Sequence, residues 1–160
     1  MGNTNSAEKA DSVYRGIVAS LNRRNWRFKE DPENRVVTFG VSGNDLPVKL
    51  ALSVDSEKEL VCLRSPFTFK IKDDKRIDAI IAISVMNYAL SVGAFSMNMS
   101  DGQITFVMTT SYKDSTLTED VFESLIDISV NTVDSYNDRI FAINMGLLSV
   151  EDFMAQESND

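Results

Sequence analysis

Pro47-Val48-Lys49-Leu50-Ala51-Leu52-Ser53-Val54-Asp55 decides the fold class. Successive side chains of an extended chain point to opposite faces, so Val48, Leu50, Leu52 and Val54 share one side and Lys49, Ala51, Ser53 and Asp55 the other. A strand with one apolar and one wet face belongs to an antiparallel sheet. Upstream, Arg35–Ser42 repeats the pattern with Val37, Phe39 and Val41, after a turn at Asp31-Pro32-Glu33-Asn34. Trp26 and Phe28 alternate with Arg27 as an extended lead-in to that turn. Downstream, the polar turn Asp55–Lys58 leads to a third strand, Glu59–Ser65. Ser65-Pro66 ends or bends it, and Phe67–Lys72 continues extended.

A second hairpin lies further on. Phe95, Met97 and Met99 share a face, Ser100-Asp101-Gly102 makes the turn, and Ile104, Phe106 and Met108 face inward on the return strand. Helices flank and separate the two sheet blocks. The first runs from about Ser6 to Arg24, with Ala10, Val13, Tyr14, Ile17, Val18 and Leu21 at helical spacing and Asn5 with Glu8 spaced as a capping box. The last long helix spans about Leu117 to Met145, opened by the capping box Thr116-Leu117-Thr118-Glu119 and closed by Gly146. Its inner stripe is Val121, Phe122, Leu125, Ile128, Val133, Tyr136, Ile140 and Ile143; Asp120, Glu123, Asp127, Asn131, Asp134 and Asp138 face out. Ser149 caps a short terminal helix carrying Phe153 and Met154. The expected order is α-β-β-β-α-β-β-α plus that helix: an α+β domain over residues 6–157, with a mainly antiparallel sheet, helices packed on it, and a polar tail at 1–5.

The middle helix, from about Asp74 to Ser91 with Asp73 or Asp74 as its cap, is unlike the others. At about 100° per residue, Ile77, Ile81, Val85 and Tyr88 form one apolar stripe and Ala79, Ala82, Ile83, Met86 and Leu90 a second. Only Ser84, Asn87 and Ser91 are polar between them. A helix apolar nearly all round is covered on more than one side, so one stripe lies on the sheet and the other needs a helix or a second subunit. Ala79, Ile83, Met86 and Leu90 are the residues expected to form the dimer or partner interface.

Composition narrows the chemistry. The 160 residues carry a net charge of −8, contain no histidine and a single cysteine, and match one domain in size. Residues 101–160 hold just two cations, Lys113 and Arg139. The one basic cluster, Arg23, Arg24, Arg27 and Lys29, reads as the solvated end of a helix, and the remaining charge would repel phosphate, so no nucleic acid is expected. Cys62, between Val61 and Leu63, reads as a small core residue. The acids of the last long helix read as a solvated face rather than a catalytic pair in a cleft. Asn98–Asp101 offers side-chain oxygens without the spacing of a calcium loop, and no phosphate-binding glycine loop is present. Met1-Gly2-Asn3-Thr4-Asn5-Ser6 fits an acylation pattern, but one acyl chain without a basic patch anchors poorly, so no membrane partner is expected. The paired methionines Met97, Met99 and Met108 read as core filling. No cofactor, metal or catalytic residue is expected. The polar start of the chain and the lone thiol predict a cytoplasmic protein.

Several local patterns carry a resemblance: Trp26-Arg27-Phe28, Arg35-Val36-Val37-Thr38-Phe39, Met86-Asn87, Gly93-Ala94-Phe95-Ser96-Met97-Asn98, Asp101-Gly102-Gln103-Ile104-Thr105-Phe106 and Thr132-Val133-Asp134-Ser135-Tyr136. From about Ser12 to Gly146 the chain resembles the bacterial YbjN family of sensory transduction regulators, whose fold is similar to that of type III secretion chaperones. The resemblance implies that fold and brings no active site. It agrees with a non-enzymatic protein-interaction module, chaperone-like or regulatory, that forms a homodimer and binds a protein partner. The alternative is a small-molecule-sensing or enzymatic domain with an apolar pocket between sheet and helices.

Overall fold

The computed structural model describes residues 2–158, with side chains from residue 6 onward. In chain order the elements are α1 (Gly2–Arg23), β1 (Phe28–Asp31), β2 (Val36–Val41), β3 (Val48–Asp55), β4 (Leu60–Lys70), a 3-10 turn (Asp73–Lys75), α2 (Arg76–Ala89), β5 (Ala94–Met97), β6 (Gln103–Ser111), α3 (Glu119–Met145) and α4 (Val150–Glu157). The six strands form one sheet in the order β1-β2-β3-β4-β6-β5, antiparallel at every step. This is the expected α+β architecture with one strand more in its first block.

The extra strand is β1. The lead-in at Trp26–Phe28 continues into a ladder in which Phe28 opposes Phe39 and Asp31 opposes Val36. Four residues are too few for a two-residue period to declare itself. What fixes β1 is aromatic contact: the Trp26 ring lies 5.3 Å from that of Phe39. Pro66 does not end β4. The strand runs through it beside β6, with an irregular register between Pro66 and Lys70, because a residue without an N–H is tolerated where the ladder is irregular.

Helix ends depart from expectation by a few residues. α1 reaches back to Gly2; the Asn5–Glu8 capping box, like Met1 of the acylation pattern, falls outside the described residues and side chains. Asp73 and Asp74 do not cap α2. They form the 3-10 turn before it, and Asp73 pairs with Arg76 at 2.6 Å. Thr118, not Thr116, holds the N-cap position of α3, without a side-chain cap bond. Gly146 ends α3 in the left-handed region at φ 72°, and the Ser149 hydroxyl caps α4 by accepting the Asp152 N–H at 3.1 Å.

The core lies between the inner sheet face and the helices. Val48, Leu50, Leu52 and Val54 of β3 are buried together with Val61, Leu63 and Phe67 of β4 and Ile104 and Phe106 of β6. Ala10, Ile17 and Leu21 of α1 and Phe122, Ile126, Val133 and Ile140 of α3 cover them. Fully burying each leucine or isoleucine contributes about 2–3 kcal/mol. The other sheet face looks to solvent, with Thr38, Lys49, Arg64 and Thr109 exposed.

Candidate functional site

The two apolar stripes of α2 meet different fates. Ala79, Ala82, Ile83 and Met86 are buried within the subunit, and Leu90 is half-buried against the same core. The stripe expected to meet a partner is therefore enclosed by the chain itself. Two alanines let α2 approach closely, and α2 packs there against α3, α4 and β5. The open face is the opposite one: Tyr88 is 95% and Ile77 66% exposed, with Ile81 and Ile80 about a third exposed and Val92 just beyond the helix. Ile77, Ile81 and Tyr88 fall within about 40° of one another on the wheel, so they form a single ridge.

Asn87, one of the three polar residues between the stripes, faces the sheet edge. Its amide oxygen accepts the Phe95 N–H at 2.8 Å and its nitrogen donates to the Phe95 carbonyl at 2.9 Å. Asn144 does the same kind of work elsewhere, accepting from the Lys72 N–H and donating to the Lys70 carbonyl. Together they set where α2 and its preceding turn sit on the sheet.

Two arginines at the end of α1 are tied to acids of α3. Arg24 donates to both oxygens of Asp127, at 2.8 and 2.9 Å, and also pairs with Glu123; Arg23 pairs with Glu119, Asp120 and Glu123. Hydrogen bonds from Arg24 and Arg23 hold the carboxyls of Asp127 and Glu123 below their ordinary range. Asp134 accepts from the Asn44 N–H at 2.8 Å and fastens the β2–β3 loop. Half of the supposed basic cluster is thus consumed by α3, and the acids nearest it serve as struts. The oxygens of the Asn98–Asp101 turn are likewise spent on Ser100, Gln103 and Lys70. Among the described residues no three His, Cys, Asp or Glu side chains gather as a metal site requires. No described helix is long and apolar enough to cross a membrane.

Cys62 is not a core residue. Strand alternation buries Val61 and Leu63 and leaves the thiol half-buried on the outer face, between Ser53 and Thr109. Met86 and Met108 fill the core, while Met99 is exposed. A cavity of about 730 Å³ opens on that same outer face, over Lys29, Thr38, Gly40, Lys49, Ala51 and Pro66. It lies on the far side of the sheet from the place where an apolar pocket was expected. Local periodicity carries no sign of it, because its residues come together only through strand register.

This arrangement defines a class: a six-stranded antiparallel sheet flanked by helices, shared with two solved proteins. The crystal structure of the ExsC–ExsE complex superposes with a TM-score of 0.57 at 14% identity, covering 79% of this chain and 92% of that one. The crystal structure of YbjN, "a putative transcription regulator from E. coli", gives 0.58 at 11% identity, covering 83% and 92%. Residues 16–142 match the YbjN family, described as "Putative bacterial sensory transduction regulator", and the chain belongs to that family. No curated protein matches the sequence.

Proposed function

We propose that the chain is a non-enzymatic protein-interaction module, regulatory or chaperone-like, that works as a homodimer paired through the exposed ridge of α2. The observation that carries this is the ridge itself: Ile77, Ile81 and Tyr88 stand in water on one side of a helix whose other side is already buried. A ridge about 16 Å long suits two-fold pairing, in which the same helix meets its copy antiparallel. Family membership supports a regulatory role, and the partner-bound state of the similar ExsC fold supports a protein ligand. The arginine-bound carboxylates of α3 weigh against acid–base chemistry there. Cytoplasmic residence belongs to the same reading, since a lone half-buried thiol suits a reducing compartment.

Sedimentation equilibrium tests it. The native chain is expected at twice its 17.8 kDa mass, and Ile81→Asp at the single mass with unchanged circular dichroism. A monomeric native chain at high concentration removes the dimer.

A further inference from the structure

We propose that the outer face of β1–β4 is a docking surface for an extended acidic segment of a partner protein. Three features of this face point the same way, and none depends on the α2 dimer.

The first is Gly40. It sits inside β2, opposite Lys49, where glycine weakens a strand. Nothing in the backbone demands it: its φ lies outside the left-handed region, and an added Cβ would meet only the Val48 carbonyl oxygen, at an ordinary 3.5 Å. What its missing side chain does is deepen the cavity of about 730 Å³ on the outer face. A mid-strand glycine often accompanies a bulge, a bend or the close approach of a ligand or another backbone, and the β2–β3 register is regular at Gly40.

The second is the lining. Thr38, Gly40, Ala51 and Pro66 give a shallow floor of small side chains, while Arg27, Lys29 and Lys49 stand around it and Arg64 extends the row. These four cations form no ion pair with any described residue, although the chain as a whole is strongly acidic and Arg23, Arg24, Arg35 and Arg139 are all paired. Asp31 and Asp55 lie on the same face at its far end, each folded into its own turn through Asn34 and Lys58.

The third is spacing. Lys29, Thr38, Ala51 and Arg64 fall in one row across four strands. Three inter-strand steps place the outer cations about 14 Å apart. Carboxylates four residues apart on an extended chain, about 13 Å, match that interval. The cavity opens to solvent on the outer face of the sheet, which leaves room for a segment of chain. A nucleic acid fits less well. It brings about one charge per 1.7 Å of duplex, and four cations would have to hold it against the acids of the rest of the molecule.

Fluorescence anisotropy of the full chain tests the proposal. The probe is a labelled dodecapeptide with Glu at every fourth position and Leu, Ser and Val between. The controls are the same peptide with Lys for Glu, and a twelve-nucleotide single strand. At low salt the acidic peptide is expected to bind. Lys49→Glu and Gly40→Val are each expected to weaken it about tenfold or more, the first through charge and the second by filling the trough. Ile81→Asp should bind as the native chain does, which separates this surface from the dimer. Thermal melts of the two trough variants establish that they are folded; Lys29→Ser with Arg64→Ser, both exposed, provides the second reading of charge. Absence of acidic-peptide binding, native affinity in folded Gly40→Val, equal binding of the Lys peptide, or tighter binding of the oligonucleotide each overturns the proposal.

Discussion

The side chain of Asn87 closes the free edge of the sheet at Phe95. Helix α2 reaches over β5 and offers that strand one acceptor and one donor, at 2.8 and 2.9 Å, in the places where a further strand would offer its own. An edge strand is a template for unwanted pairing, and here a single amide satisfies the outward N–H and carbonyl of Phe95.

Asn87→Ala should therefore cost about 1–3 kcal/mol, because two backbone groups lose their partner. Urea unfolding gives the number, and hydrogen exchange gives the location: the Phe95 amide should exchange faster than its neighbours. An unchanged urea midpoint would deny the amide its structural role.

Gly93 and Gly146 share φ 72° yet differ in surroundings. A Cβ on Gly93 would lie 2.4 Å from Phe106 Cζ and 2.8 Å from Met108 Cγ, whereas one on Gly146 meets nothing within 4 Å. Gly146→Ala should lose about 1 kcal/mol, the backbone cost alone. Gly93→Ala should lose about 3 kcal/mol, because overpacking adds to it. Equal urea midpoints for the two would contradict the crowding.

The Arg24–Asp127 pair predicts a pH dependence. The folded-state carboxyl titrates below its unfolded value of about 3.9, so its contribution is complete above that pH and fades as pH falls through the folded value. Asp127→Asn should be weaker than the native chain at pH 7, by less than about 1 kcal/mol because the pair is largely solvated. The two proteins should converge below about pH 4. A difference that grows on acidification has the wrong sign for this pair.

The faces of α2 separate folding from association. Met86→Asp puts a charge into a site with no exposed surface and should cost several kcal/mol, enough to unfold much of the population. Tyr88→Asp, on a side chain almost wholly in water, should change stability by less than about 0.5 kcal/mol while abolishing the dimer. Melting curves and sedimentation on the same pair of variants read both effects. A dimeric Tyr88→Asp would move the interface off this ridge.

Legibility in the sequence followed the range of the signal. β3 announced itself because eight residues alternate without a fault, and α3 because its stripe, from Val121 to Ile143, persists over about six turns. β1 did not, being four residues held by Trp26 against Phe39. Cys62 was drawn inward by apolar neighbours on both sides, although strict alternation between Val61 and Leu63 puts it outside. On α2 both stripes are apolar, so periodicity revealed an excess of oily surface without saying which half the protein would keep. The deciding residue was Asn87, whose partner lies on a strand not yet reached. The outer trough was invisible for a related reason: Lys29, Gly40, Lys49 and Arg64 belong to four strands, and only register makes them neighbours.

Strand order carries one more consequence. β1, β2 and β3 each pair with the next strand in the chain, but the other flank of β4 must wait for β6, which begins at Gln103. During synthesis the four-strand meander is complete by Lys70, and the flank of β4 then stays bare until some forty further residues have left the ribosome. The nascent protein thus passes through an interval in which its longest strand is unguarded, and a substitution that slows closure of that seam would cost yield in the cell before it cost anything in a melting curve.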